Sequence, residues 1–252
     1  MKNRLLDWLG EMLYPHAANC LCCGEARFVS EEDCLCAACR ERIRAMRVPA
    51  AACNRCLMPI KAGQPCRFCA SPVMEHISAA YAPFRYGGEV RTLIHAFKFG
   101  ACNEPLVTLS EGMADALTDR AYDFLVPVPL HRRRLLERGV NQARLLADAL
   151  SARTGIPVRE ALSRIRYHTP QSKTRTRKER TENVRGVFRC DADVKGQRLL
   201  LIDDVRTTGS TAAECARMLK EGGAEKVGLC VCAVVYRLET GGAKETQRGA
   251  CR

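Results

Sequence analysis

Four Cys-x-x-Cys pairs stand in line near the start of this chain: Cys20/Cys23, Cys36/Cys39, Cys53/Cys56 and Cys66/Cys69. A two-residue gap lets a tight turn bring two thiolates onto one ion, and a structural zinc site needs two such turns to complete a tetrahedron. Twelve residues separate the first two pairs and nine the last two, so each half has the reach to close its own site. Sequential pairing is the simplest assignment, one Zn²⁺ per half in a double zinc ribbon. Interleaved pairing, first with third and second with fourth, stays open at this level. Cys22 and Cys34 are extra thiols, and Cys22 is an alternative ligand to Cys20 or Cys23 that the spacing leaves open. Ten of the 16 cysteines fall between Cys20 and Cys69. That clustering favours metal over scattered inert thiols. No thioredoxin-like strand–helix context surrounds any pair, which argues against redox use.

A disulfide framework would require export. Residues 1–10 lack a secretory apolar region, because Asp7 and Glu11 interrupt the run of Leu5, Leu6, Trp8 and Leu9. No stretch approaches the roughly 18–20 apolar residues of a membrane span. The expected location is the cytoplasm, with association at a membrane surface left open. Residues 1–16 are expected to form an N-terminal helix, with Leu5, Leu6, Leu9, Met12 and Leu13 on one face and Pro15 ending it, packed on the next domain. Residues 17–75 form the cysteine module, which has too few large apolar side chains to hold itself together by burial.

From about Ala79 the pattern changes to alternating strands and helices. Strands are predicted at Ala79–Tyr86, Asp123–Pro129, Gln197–Asp203 and Lys226–Val235. Helices are predicted at Val90–Phe97, Glu104–Leu117, from the Asn141 cap to about Ala152, and Thr211–Glu221 before Gly222-Gly223. This order specifies an α/β domain over residues 76–240, a mainly parallel sheet with helices on both faces. Residues 241–252 are expected to be a flexible tail, and Arg164–Arg185 a polar segment without periodicity. Charge follows the same division. Between Arg120 and Arg189 there are 17 Lys and Arg against 6 Asp and Glu, while the first 75 residues carry 10 against 8. The excess over the α/β domain points to anionic partners.

The most informative segment runs from Leu199 to Thr211, Leu-Leu-Leu-Ile-Asp-Asp-Val-Arg-Thr-Thr-Gly-Ser-Thr. An apolar strand ends in two carboxylates, then a hydroxyl-rich turn, then a helix. Backbone N–H groups of Thr207–Thr211 converge at the positive end of that helix and form a cradle for a phosphate monoester. Gly209 lets the backbone approach closely, and Thr207, Thr208, Ser210 and Thr211 supply hydroxyls. Two carboxylates beside a phosphate would repel it unless they had another role, and paired acceptors suit the vicinal hydroxyls of a ribose. The segment is neither a Walker loop nor a dinucleotide fingerprint. A second basic element, Val126-Pro-Val-Pro-Leu-His-Arg132-Arg133-Arg134, places three arginines just past a strand end, where guanidinium forks suit a pyrophosphate.

The Asp-Asp-x-x-Thr-Thr-Gly-x-Thr pattern resembles the phosphoribosyl pyrophosphate (PRPP) motif of type I phosphoribosyltransferases. Together with Pro-Val-Pro-Leu-His-Arg-Arg-Arg, Glu-Arg-Gly-Val-Asn-Gln-Ala and the four cysteine pairs, it resembles the ComF/GntX family. Those are competence-associated proteins with an N-terminal zinc ribbon and a type I phosphoribosyltransferase domain. The resemblance implies that Asp203 and Asp204 hold the ribose, that Thr207, Thr208, Gly209, Ser210 and Thr211 hold the 5′-phosphate, and that Arg132, Arg133 and Arg134 face the pyrophosphate. Lys98 and His95 end the Val90–Phe97 helix; Lys98 is placed with the pyrophosphate and His95 at the surface. Thr169–Val184 resembles the loop that closes such sites. Two departures matter. Leu57 follows the third knuckle where some family members have Gly. Thr207 stands where purine-salvage members have an acid, which argues against 6-oxopurine salvage.

The implied chemistry is displacement at the ribose anomeric carbon, with Mg²⁺-pyrophosphate leaving. Three functions compete. One is a PRPP-binding protein supporting DNA uptake or single-stranded DNA processing beside inner-membrane uptake machinery. The second is a glycosyl transferase on a small acceptor in nucleotide metabolism. The third is a PRPP-responsive regulator without turnover. Salt-dependent oligonucleotide binding, pyrophosphate release, or PRPP binding with neither would separate them. Metal analysis of the purified chain will return about two zinc per chain; none under reducing conditions would end the ribbon reading.

Overall fold

The computed structural model describes residues 19–25, 35–60, 64–66, 69, 74–99, 104–166 and 185–236. The expected N-terminal helix, the tail and the Thr169–Val184 loop lie outside the described residues, as does Cys34. A short helix, α1 (Ala37–Ala45), sits in the cysteine module and is capped by Cys36, whose side chain accepts from Cys39 N–H. The sequence pattern predicts no helix there. The α/β part follows as β1 (Ala80–Tyr81), β2 (Phe84–Arg85), α2 (Gly88–Phe99), α3 (Glu104–Ala116), β3 (Phe124–Pro127), α4 (Arg132–Arg138) and α5 (Gln142–Thr154). It continues with β4 (Leu162–Arg164), β5 (Phe188–Cys190), β6 (Arg198–Arg206), α6 (Ser210–Glu221) and β7 (Lys226–Val234).

The main sheet is parallel. β6 and β7 form its centre, β3 flanks β6, and β1 and β2 both pair with β7 on the other side. The expected strand over Ala79–Tyr86 is therefore broken into two short pieces. Pro83 interrupts it, since proline has no N–H for the ladder. The Pro83 carbonyl instead accepts from Val48 N–H at 3.0 Å, and Arg47 bridges Phe84. The cysteine module thus covers a sheet edge that would otherwise present unpaired backbone groups.

Side chains along β6 alternate between the two faces. Leu200 and Ile202 join α2, α3 and α5 in one core, and Leu199 and Leu201 join α6 and β5 in the other. Each half of the cysteine module extends one of these cores. Cys20, Cys36, Cys39 and Ile43 pack with Val90, Leu93, Ile94 and Phe97 of α2. Cys53, Cys56 and Leu57 join the other core with Met74 and Ile77. Burial that neither half could supply alone is thus shared with the larger domain.

Three elements of the α/β part are absent from the sequence pattern. α4 is seven residues, started by His131, whose Nδ1 accepts from Arg133 N–H, and stopped by Gly139 at φ +75°. β4 and β5 form an antiparallel hairpin that flanks the expected polar segment Arg164–Arg185 on its two sides. This hairpin is tied to α6: the buried Glu214 carboxylate accepts from Gly186 N–H at 2.7 Å and pairs with Arg217. Burial works against the Glu214 charge, but Arg217 and the Gly186 N–H outweigh it and hold its carboxyl below the usual range. No helix among the described residues is long and apolar enough to cross a membrane.

The centre of the sheet leaves no spare room. A Cβ on Gly228 of β7 would lie 2.4 Å from Tyr122 Oη and 2.9 Å from Leu200 Cδ1. Gly228→Ala is expected to cost about 1–3 kcal/mol through overpacking, which thermal denaturation will read as a fall of roughly 2–4 °C per kcal/mol.

Candidate functional site

The apolar part of β6, Leu199–Ile202, is fully buried between its two neighbours. At Asp203 the strand leaves the core, and it runs on to Arg206 rather than stopping at the acids. The acid pair thus sits at the carboxyl end of a central parallel strand, where open α/β sheets bind ligands. Thr207–Gly209 bend the chain and α6 begins. Gly209 is the N-cap at φ +81°, a left-handed conformation that glycine adopts without strain, and it offers no side-chain acceptor to the helix. Ser210 N–H, the first of α6, donates to Thr208 Oγ1 at 3.4 Å, and the helix dipole adds positive potential at the same point.

Thr208 and Ser210 are buried and their hydroxyls lie 3.0 Å apart, which locks the turn from within. Thr207 is exposed and Thr211 half-buried. A cavity of about 40 Å³ opens in front of the bend, lined by Asp203, Arg206, Thr207, Gly209 and Thr211 among others. That is room for a few water-sized groups, the scale of one phosphate. Arg206, which sequence reasoning missed, is buried at this wall. A basic residue inside the motif was the available signal.

The two acids differ. Asp204 Oδ2 lies 2.6 Å from Lys98 Nζ, with both side chains largely buried at 18% and 22% exposure. Asp203 faces the cavity and accepts from the backbone N–H of Asp204 at 2.9 Å. Desolvation, and then the Asp204 charge, push Asp203 up to about 7. Lys98 lies in the last turn of α2, and its carbonyl accepts from Gln142 Nε2 at 3.4 Å at the start of α5. α4, which carries Arg132, Arg133 and Arg134, leaves β3 at the same end of the sheet, since Val128 N–H bonds to Ile202 carbonyl. Arg132 and Arg133 are exposed, and Arg133 pairs with Glu137 one helical turn on. Asn141 anchors the segment by donating to Val128 carbonyl at 3.2 Å.

The cysteines form two groups. Cys20, Cys23, Cys36 and Cys39 lie with their sulfurs within 4.8 Å of one another, and so do Cys53, Cys56, Cys66 and Cys69. Pairing is therefore sequential. Tetrahedral zinc with bonds of about 2.3 Å puts sulfurs about 3.8 Å apart. The separations here are 3.9 Å for Cys23–Cys36, 3.7 Å for Cys53–Cys69 and 3.4 Å for Cys56–Cys66. Cys20 accepts from Cys36 N–H. Burial opposes its charge, yet the N–H groups of Cys36, Cys23 and Cys22 bring it down to about 6. Cys39 is pushed up to about 12 by burial and by the neighbouring thiols. Four sulfurs so placed repel as thiolates until a cation neutralises them, so the donor set fits Zn²⁺. Cys22 is outside the group; its thiol donates to Glu89 carbonyl. Leu57 takes φ +60°, so the position where some family members have glycine does require the left-handed region.

A family model described as phosphoribosyl transferase domain matches residues 135–248. With the parallel sheet, the acid pair and the hydroxyl-rich bend, it defines a type I phosphoribosyltransferase fold preceded by two four-cysteine clusters. DNA utilization protein YhgH of Escherichia coli (strain K12) is 34% identical over 203 residues, spanning 75% of this chain and 87% of that protein. Competence protein F of Haemophilus influenzae is 35% identical over 108 residues, 42% of this chain and 47% of that protein. Competence protein ComFC of Bacillus subtilis is 27% identical over 208 residues, 76% and 80% of the two chains. The chain belongs to the ComF/GntX family.

The electrostatics of the acid pair are directly measurable. NMR will find the Asp203 carboxyl titrating near pH 7 in the free chain. Asp204→Asn, which removes the adjacent negative charge, will move that titration to lower pH.

Proposed function

We propose that this chain binds PRPP with Mg²⁺ and acts in the handling of DNA taken up by the cell. The observation that carries the ligand reading is the bend itself. Gly209 at φ +81° opens an uncapped helix N-terminus onto a cavity whose other wall is the half-buried Asp203. A phosphate fits the N–H groups of the helix start. The ribose hydroxyls of the same molecule fit the two carboxylates, a few residues back along the strand. The DNA reading rests on relatives named for DNA utilization and competence. It also rests on the 17 to 6 excess of basic over acidic residues between Arg120 and Arg189.

In this reading Thr207–Thr211 orient the 5′-phosphate, and Asp203 and Asp204 hold the 2- and 3-hydroxyls of the ribose. Arg132, Arg133 and Arg134 draw negative charge from the pyrophosphate on the neighbouring strand end. Bound Mg²⁺ would neutralise the leaving pyrophosphate. If an acceptor is present, the anomeric carbon–oxygen bond breaks toward pyrophosphate and a bond to the acceptor forms. The protein then contributes orientation and charge rather than a nucleophile. Thr207 gives no general base at the position where a purine-salvage enzyme would need one. DNA support through PRPP binding is favoured over purine salvage on that ground.

Replacing both acids, Asp203→Asn with Asp204→Asn, will abolish PRPP binding by calorimetry; loss of the Lys98–Asp204 pair will lower the melting temperature, and a melting curve shows that the variant is folded at the temperature of the titration. Unchanged affinity would refute the site.

A further inference from the structure

The contact between Lys98 and Asp204 implies a role for Lys98 different from the one the sequence suggests. Its ammonium lies 2.6 Å from Asp204 Oδ2, at the end of α2. We propose that Lys98 is the internal counter-ion of the acid pair. It holds Asp204 in the free protein at the position a cation takes when the metal-bearing ribose phosphate arrives, and it gives that carboxylate up on binding. This deepens the PRPP reading and rests on it. Lys98 is a positioning residue that acts through Asp204.

Three observations support this. Two adjacent carboxylates at the edge of an anion cradle would oppose a phosphate a few residues further along. One ammonium on Asp204 offsets the charge of that carboxylate and leaves Asp203 facing the cavity. Both partners are largely buried, at 22% and 18% exposure, so salt screens their attraction less than that of a surface pair. The lysine is also held where it is. The apolar face of α2, with Val90, Leu93, Ile94 and Phe97, is packed against Cys20, Cys36, Cys39 and Ile43 of the first half of the cysteine module. Arg42 pairs with Glu89 at the other end of the helix. The Lys98 carbonyl accepts from Gln142, at the start of α5 and just beyond the arginine helix. The cation therefore sits on a helix braced at one end by the cysteine module and tied at the other to the segment assigned to pyrophosphate.

A consequence separates this role from direct phosphate binding. With Lys98 in place, Mg²⁺ alone must displace an ammonium to reach Asp204. Without it, the Asp204 carboxylate loses this counter-ion and is open to Mg²⁺.

The test uses the zinc-loaded full chain and two probes, MgCl₂ alone and ribose 5-phosphate alone, followed by calorimetry. Lys98→Met is expected to bind Mg²⁺ at least ~10-fold more tightly than the unaltered chain, or about 1.4 kcal/mol. It is expected to bind metal-free ribose 5-phosphate several-fold more weakly. Lys98→Arg, which keeps the charge, should restore both values toward those of the unaltered chain. Melting curves report folding, and Lys98→Gln serves if the methionine variant does not fold. Equal Mg²⁺ affinity with and without Lys98, or an arginine variant that behaves like methionine, would overturn the proposal. The PRPP reading fails separately. If the unaltered chain binds neither PRPP nor ribose 5-phosphate, that reading is lost, while the Mg²⁺ contrast still decides what Lys98 does.

Discussion

The parallel pairing of β6 with β7 is the constraint on which the rest depends. It runs from Arg198 opposite Lys226 to Arg206 opposite Val234 and buries the apolar half of β6 on both faces. A strand so enclosed can present polar side chains only where it emerges, so the two aspartates are delivered together at one end of the sheet. The backbone must then turn at once into a helix that covers the sheet. Gly209 allows that turn, and the helix start it leaves uncapped is a source of positive potential close to the acids. Anion cradle and acceptor pair are thus two results of one strand ending.

The cysteine module is part of this architecture rather than an attachment to it. Its first half shares a core with α2, α3 and α5, and its second half shares the other core with α6 and β5. The module also closes the edge at Pro83 and Phe84. Zinc, by holding each half together, would stabilise one side of the sheet each. α2 carries this support to the site, because its packed face rests on the first half and its last turn places Lys98 on Asp204.

Much of this was legible in the residues because the signals were local. The spacing of the Cys pairs, the apolar run before Asp203-Asp204, and the Asn141 cap with its bond to Ala143 N–H each declare a conformation within a few residues. The misses were of another kind. The Ala79–Tyr86 pattern reads as one strand, but Pro83 hands its carbonyl to the cysteine module. Leu162–Arg164 has no recognisable period and becomes a strand only because Phe188–Cys190, distant in sequence, lies against it. α4 is declared by His131 and Gly139, which an arginine-rich segment concealed.

Residue order alone determined the eight clustered cysteines, the α/β class and the place of the acid pair, since each is declared by spacing and pattern along the chain. The tertiary structure alone decided which cysteine pairs lie together, that Cys22 faces Glu89 instead, and that Asp204 pairs with Lys98 while Asp203 faces the cavity. These are meetings of side chains from separate elements. Their distances are set by how helices and strands pack, which no local pattern encodes.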